Sequence, residues 1–287
     1  MRIALCNEVL QPWDFARQCD YAARLGYDGL ELAPFTLDEA PHLLSAERRR
    51  ALRRAAADAG VAVTGLHWLL VTPKGLSITT ADAAVRRRTV EVMTALVGLC
   101  ADLGGAVLVH GSPAQRRIEA GEDPATARER AIDALAAAAR AAERAGVVYC
   151  LEPLSADQTN FVNTVAEASA IVDAIGSKAF RTMLDTSSAA LAEREPLPVV
   201  LERGLVSGHI AHVQFNDRNR RGPGEGDDRF APILEVLLKR AYGGTVAIEP
   251  FKYEPDGPAC AARAIGYTRG LIEALALTGR AARAEDK

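Results

Sequence analysis

The chain has 287 residues, of which 49% are hydrophobic and 25% charged, with a net charge of −3 and a pI near 6.0. This composition is typical of a globular protein with a large core, and it argues against nucleic acid as a partner. No stretch approaches the roughly 18 consecutive apolar residues that span a membrane, and five scattered cysteines without a CxxC pair predict a reduced, cytoplasmic protein.

Short apolar runs alternate with helical patterns along the chain. The predicted strands are Arg2–Cys6, Tyr27–Leu32, Val61–Trp68, Ala106–His110, Val147–Glu152, Arg181–Asp185, Ile210–Phe215 and Gly244–Glu249. The predicted helices are Trp13–Leu25, Ala46–Ala59, Ala81–Leu103, Asp123–Ala145, Thr164–Ile175, Pro198–Ser207, Phe230–Tyr242 and Pro258–Ala276. Strict alternation of strand and helix predicts a single-domain (β/α)₈ TIM barrel at residues 1–278, followed by a frayed tail at 279–287.

The last four predicted strands share one property, which is a polar side chain at or near the C-terminal end of each. These side chains are Glu152, Asp185, Gln214 and Glu249. A proline follows each glutamate and keeps it extended, because the residue before a proline is disfavoured in the α region. The gaps of 33, 29 and 35 positions each fit one helix, one strand and two loops. All four groups are therefore expected on one face of a parallel sheet.

In this fold active sites lie at the C-terminal ends of the strands. Three carboxylates and an amide oxygen are hard ligands that suit Mn²⁺, Mg²⁺ or Co²⁺ better than a structural zinc ion. The sequence therefore predicts one divalent metal ion held by Glu152, Asp185, Gln214 and Glu249, with Mn²⁺ as the first choice. Each residue alone could instead cap a loop or form an ion pair, but four in succession favour a metal site. His212, two residues before Gln214, is an alternative ligand.

Other side chains are expected around this centre. His67, Trp68 and His110 lie near strand ends and are predicted to line the pocket, with core packing as the alternative for each. The segment 216–227 is rich in glycine and charge and is the best lid candidate. Its Arg220 is predicted to donate hydrogen bonds to substrate oxygens. The alternative is an exposed arginine paired with Glu225 or Asp227.

Four motifs carry a family resemblance: Leu151–Leu154, Leu184–Thr186, His212–Arg220 with Pro223–Gly226, and Ile248–Pro250. The chain resembles the xylose isomerase-like barrel superfamily, in particular the branch with the ketose 3-epimerases (D-tagatose and D-allulose 3-epimerases) and the hydroxypyruvate isomerases. The resemblance covers nearly the whole barrel. It implies that Glu152 and Glu249 are both metal ligands and acid/base residues, that Asp185 is a ligand, and that Arg220 contacts substrate.

The chain departs from the 3-epimerase pattern at three positions. The third ligand of those enzymes is histidine, whereas this chain has Gln214, as some hydroxypyruvate isomerase-like relatives do. Their substrate-binding histidine and glutamate correspond to Ser188 and Gln158 here. We therefore expect Ser188 and Gln158 to contact the substrate differently, and poor activity on free D-fructose or D-tagatose.

The function predicted from the sequence is a divalent-metal-dependent isomerase or epimerase of a small sugar or keto-sugar. Loss of a proton from the carbon next to a metal-bound carbonyl would give an enediolate, with Glu152 and Glu249 as acid and base. Epimerisation and aldose–ketose isomerisation both stay open. The alternatives are a metal-dependent lyase or dehydratase on a keto-polyol, an endonuclease IV-like nuclease, and a non-catalytic sugar-binding barrel. No nucleic-acid or membrane partner is expected, and a homodimer or homotetramer stays open.

Overall fold

A computed structural model describes the backbone of residues 1–285 and the side chains of residues 1–277. Eight parallel strands pair in chain order, and the last pairs with the first, which closes the barrel. The strands are β1 Arg2–Cys6, β2 Gly29–Leu32, β3 Ala62–Leu66, β4 Val107–His110, β5 Val148–Leu151, β6 Phe180–Asp185, β7 Ile210–Phe215 and β8 Thr245–Ile248. The predicted (β/α)₈ barrel is confirmed.

Nine α-helices occur within residues 1–285, one more than the pattern predicts. They are α1 Phe15–Leu25, α2 Ala46–Asp58, α3 Ala83–Leu103, α4 Pro124–Ala145, α5 Val165–Ile175, α6 Thr186–Ala192, α7 Leu197–Val206, α8 Ala231–Lys239 and α9 Gly257–Glu285. The unpredicted helix is α6, which begins directly after β6. Asp185 caps it by accepting a hydrogen bond from the backbone N–H of Ser188 at 2.6 Å.

The core has two layers separated by the sheet. Inside the barrel, Val107, Val109, Cys150 and Met183 pack together. Alternate residues of the same strands, such as Leu108 and Tyr149, belong to the larger cluster between the sheet and the helices. This alternation decides which strand-end side chains can reach the interior of the barrel.

The end of the chain differs from the prediction. Helix α9 runs to Glu285, so the backbone of residues 279–285, which we expected to be a frayed tail, is helical. Residues 286 and 287 lie outside the described residues, and a boundary at residue 278 stays a prediction. Within the described part of the chain, no helix combines the length and apolar character that a membrane crossing requires. All five cysteines are buried and unpaired.

Candidate active site

The ends of β5 to β8 bring three carboxylates together. Glu152 follows β5, Asp185 ends β6 and Glu249 follows β8. One carboxylate oxygen of each lies within 4.8 Å of the corresponding atoms of the other two. Gln214 in β7 is in register with Asp185. All four side chains are buried, with exposed fractions of 0–3%. The spacing argument therefore places these residues at one end of the barrel, as predicted.

Three oxygen atoms in this group have no hydrogen-bond partner among the described residues. They are Asp185 Oδ2, Gln214 Oε1 and Glu249 Oε2. A buried acceptor without a donor is costly, so such atoms are rare in folded proteins. A cation would satisfy all three. The donor set, carboxylate and amide oxygen, fits a hard divalent ion.

The orientation of the Gln214 amide is fixed by Glu31 of β2. Gln214 Nε2 donates to Glu31 Oε1 at 2.8 Å, which leaves Gln214 Oε1 as the unpartnered atom. Glu31 Oε2 lies 2.9 Å from His212 Nε2. Burial would raise the pKa of Glu31, but His212 outweighs it and the pKa lies below its ordinary value. Because the His212 ring faces Glu31, the structure does not support His212 as the alternative ligand.

Glu249 is oriented by His67, whose ring lies between two carboxylates. Its Nδ1 is 2.7 Å from Glu249 Oε1, and its Nε2 is 3.0 Å from Glu8 Oε2. Burial would lower the pKa of His67, but Cys6 and Glu8 raise it well above its ordinary value. The cationic ring can then donate one hydrogen bond to each carboxylate. His67 thus directs one Glu249 oxygen away from the site and leaves the other free.

Burial raises the pKa of each of the three clustered carboxyls. The pKa of Asp185 rises to about 6 and that of Glu249 to about 8. The pKa of Glu152 lies well above its ordinary value, because burial is reinforced by repulsion from Glu249 and Asp185. Without a cation, Glu152 and Glu249 would retain protons near neutral pH, whereas Asp185 would be mostly ionised. A divalent ion would favour their ionised forms.

Two of the three positions that depart from the 3-epimerase pattern, Gln158 and Ser188, contact each other. Gln158 Nε2 donates to Ser188 Oγ and to Ser155 Oγ, both at 3.0 Å. Trp68 is half-buried between the rings of Phe35 and Phe251, with centroid distances of 5.8 and 5.7 Å. Its φ of 50° lies in the left-handed region that non-glycine residues seldom adopt. Trp68 therefore belongs to an aromatic group at the same end of the barrel.

Arg220 links the segment 216–227 to the loop after β5. Its Nη2 lies 2.5 Å from Asp157 Oδ2, and its carbonyl accepts hydrogen bonds from the backbone of Phe251 and Lys252 at 2.8 and 2.9 Å. The alternative pairing of Arg220 with Glu225 is not observed, because Glu225 pairs with Arg263. The structure thus holds Arg220 in an ion pair across two loops.

His110 is not brought to the carboxylate cluster. Val109 faces the barrel interior, so the next residue faces the helices, and His110 Nδ1 lies 2.8 Å from the hydroxyl of Tyr149 in that outer layer. Burial, reinforced by Arg116, lowers the pKa of His110 to about 3. The ring is therefore neutral. The structure favours the alternative interpretation of His110, which is a hydrogen-bonded core histidine rather than a residue that lines the pocket.

Sequence reasoning missed Glu8, Glu31 and Arg116. Glu31 interrupts an apolar strand, and a charged residue at such a position indicates a buried polar contact. The sequence does not indicate which residues Glu31 contacts. Arg116 stands in a polar loop and resembles a solvated residue, yet it is completely buried. Among described residues its only hydrogen bond runs from Nη1 to the carbonyl of His110 at 3.4 Å, while Nε and Nη2 have no partner.

Comparisons with known proteins show which enzymes the chain is similar to. The L-ribulose 3-epimerase of Mesorhizobium japonicum is 29% identical over 203 residues, which are 71% of this chain and 66% of that protein. A putative hydroxypyruvate isomerase of Streptomyces coelicolor is 30% identical over 223 residues, or 72% of this chain and 75% of that protein.

A similar fold is found in a crystal structure of D-psicose 3-epimerase with D-tagatose from Clostridium cellulolyticum H10. Its TM-score is 0.82 at 20% identity, covering 95% of this chain and 99% of that one. The family model described as xylose isomerase-like TIM barrel matches residues 19–271. The chain therefore belongs to the xylose isomerase-like TIM barrel family.

Proposed function

We propose that the protein is a divalent-metal-dependent epimerase or isomerase of a small keto-sugar. The observation that carries the proposal is the cluster of three buried strand-end carboxylates within 4.8 Å of one another. Relatives named as a ketose epimerase and as a hydroxypyruvate isomerase support the same class of reaction. Both names denote enzymes that act beside a carbonyl group.

Glu152, Asp185, Gln214 and Glu249 would hold the ion, with Mn²⁺ as our first choice and Mg²⁺ or Co²⁺ as alternatives. The unpartnered oxygens of Asp185, Gln214 and Glu249 support this assignment. When bound, the ion supplies Lewis-acid polarisation of a carbonyl oxygen. Asp185 also caps α6 through Oδ1, so its Oδ2 is the atom available to a cation.

Glu152 and Glu249 are the groups that can move the proton. They follow β5 and β8, three strands apart around an eight-stranded barrel, and therefore approach the space between them from different directions. One carboxylate removes a proton from the carbon next to the carbonyl, and the other returns a proton on the opposite face. Two bases on opposite sides of the substrate can invert a carbon centre, which favours epimerisation. Isomerisation needs only one base, which moves the proton between neighbouring carbons.

The surrounding residues supply orientation and limit access to water. His67 holds one oxygen of Glu249, so the other is directed to the site. The Arg220–Asp157 ion pair joins two loops, and the group of Phe35, Trp68 and Phe251 provides an apolar wall. Gln158 and Ser188 offer neutral hydrogen-bonding groups to substrate hydroxyls.

The test is a panel of ketoses and keto-sugars incubated with the Mn²⁺-loaded protein in D₂O and followed by NMR. We expect deuterium at one carbon next to the carbonyl, together with inversion at that carbon. Exchange accompanied by loss of a hydroxyl group would identify the dehydratase alternative. No exchange with any member of the panel would refute the proposal.

A further inference from the structure

Arg116 is a fully buried charged side chain whose guanidinium forms no direct ion pair among the described residues. Burial lowers its pKa to about 10, with Glu152 acting in the opposite direction, so the group stays charged at neutral pH. Buried N–H donors without an acceptor are costly even beside a carboxylate, and Nε and Nη2 of Arg116 are two such donors.

The guanidinium lies beside the carboxylate cluster. Arg116 ends the 3₁₀ turn Ala114–Arg116 just after β4, and its Nη1 donates to the carbonyl of His110. The Glu152 carboxylate packs against the next residue, Gly111, so closely that any side chain there would overlap Oε2. Arg116 and Glu152 thus meet at the same peptide unit, between His110 and Gly111.

The loop that carries Arg116 is fastened to the loop that carries Glu152. Arg117 Nη2 donates to the carbonyl of Gln158 at 2.7 Å. Asn160 accepts from the backbone N–H of Ile118 and donates to its carbonyl, both at 2.9 Å. These contacts hold Arg116 at the border of the site.

The two unpartnered nitrogens, Nε and Nη2, share one edge of the planar guanidinium. That edge donates two parallel hydrogen bonds and suits two oxygen atoms side by side. We propose that this edge of Arg116 binds two neighbouring oxygen atoms of the substrate, and that the substrate is an uncharged keto-sugar. The inference rests on the function proposed above and narrows its substrate class.

The preference for an uncharged substrate follows from the buried charges. The three clustered carboxylates, one divalent cation and the Arg116 guanidinium sum to zero. The cationic His67 is offset by Glu8. Glu31 is paired with His212. A neutral sugar preserves that balance, whereas a phosphate or carboxylate group would add buried negative charge. Arg220 does not offer a free cation for such a group, because Asp157 already pairs with it.

The experiment compares Arg116→Met, which removes the charge and the paired donors at similar length, with Arg116→Lys, which keeps only the charge. Arg140→Met is the control for the same chemical change, since Arg140 is an exposed arginine of α4 away from the site. Metal content and thermal unfolding are measured first. Deuterium exchange then gives kcat/KM for neutral ketoses and for their phosphorylated and carboxylated counterparts.

We expect Arg116→Met to lower kcat/KM by about 10²-fold and Arg116→Lys by about 10-fold, which are the losses expected for charge-assisted hydrogen bonds. Both variants should retain the metal, and Arg140→Met should stay within about threefold of wild type. Wild-type kcat/KM for Arg116→Lys with metal bound would overturn the inference, even if Arg116→Met did not fold. Preference of the wild type for phosphorylated or carboxylated sugars would overturn it as well.

Failure of the proposed function gives a different result, which is no exchange by the wild type. In that case calorimetric titration of the same ketoses into Mn²⁺-loaded wild type and Arg116→Lys decides the role of Arg116. Weaker binding to the variant supports the inference. Equal binding, or no binding to the wild type, overturns it.

Discussion

Replacing Glu249 with glutamine separates the two roles proposed for this residue, because an amide keeps a ligand oxygen but cannot take up a proton. In the wild type, Oε1 is 2.7 Å from Nδ1 of His67, and Oε2 has no partner among the described residues. The ion requires the oxygen of the new amide, so its NH₂ group must turn toward His67. Nδ1 then has to accept a hydrogen bond, while Nε2 donates to Glu8.

The change of hydrogen bond at His67 in Glu249→Gln has a calculable cost in stability. A hydrogen bond to a charged group, worth about 1.5–3 kcal/mol, is replaced by a neutral one worth about 0.5–1.5 kcal/mol. The free energy of unfolding should therefore fall by about 1 kcal/mol. The rate should fall by about 10²–10⁴-fold, the usual contribution of general acid–base catalysis, or about 3–5 kcal/mol of barrier. A rate loss well beyond the stability loss would indicate chemistry rather than packing.

The assay compares wild type, Glu249→Gln and Glu235→Gln, the last being the same change at an exposed position of α8. Metal content is measured by mass spectrometry, stability by denaturant titration and turnover by deuterium exchange. We expect Glu249→Gln to retain its ion and Glu235→Gln to behave as wild type. Near wild-type turnover by Glu249→Gln with metal in place would refute the role of base and leave Glu249 as a ligand only.

Treatment with EDTA should remove one divalent ion per chain and abolish exchange, and full turnover by demetallated protein would contradict the metal proposal. In the metal-free fold the pKa values of Asp185 (about 6) and Glu249 (about 8) exceed the ordinary values of these carboxyls. In the unfolded state these carboxyls have pKa values of about 4, so that state binds fewer protons than the folded state between about pH 5 and 8. The free energy of unfolding of the metal-free protein should therefore fall as pH rises through that window. Denaturant titrations that show a rise instead would contradict this expectation. Glu31→Met removes the acceptor that orients Gln214 and should weaken Mn²⁺ binding by about 10–100-fold, which unchanged affinity in a metal titration would disprove. Arg220→Ala should raise KM and leave metal content unchanged, and an unaltered KM would make Arg220 a surface residue without a substrate contact.

The architecture could be predicted because each strand is a short apolar run between well-marked helices. The ends of helices were harder to predict where the sequence has no clear helical periodicity. Helix α6 has only seven residues and begins with Thr186-Ser187-Ser188, a polar run without helical periodicity. Its start depends on the Asp185 side chain, which the sequence pattern assigned to the metal alone. The capping role of this carboxylate is visible only in three dimensions, and it leaves Oδ2 for the proposed ion.

The clustering of the four proposed ligands could be predicted because they recur at the ends of successive strands. Their supporting residues could not, since these contacts join distant parts of the chain. Glu31 and Gln214 are 183 positions apart, and His67 and Glu249 are 182 apart. His110 illustrates a different difficulty: a shift of one residue along a strand reverses the side of the sheet that a side chain faces.

The contact between Glu31 and Gln214 also bears on how such barrels diversify. A ligand at position 214 must present an acceptor to the ion and a donor to Glu31, and glutamine does both with the two ends of one amide. Histidine, the ligand in the 3-epimerases that the chain resembles, can do both with its two ring nitrogens. Glutamine and histidine codons differ in a single base. Under the proposed ligand assignment, the fixed carboxylate of β2 would let a lineage exchange an amide for an imidazole in one mutational step and keep the side chain oriented toward the ion.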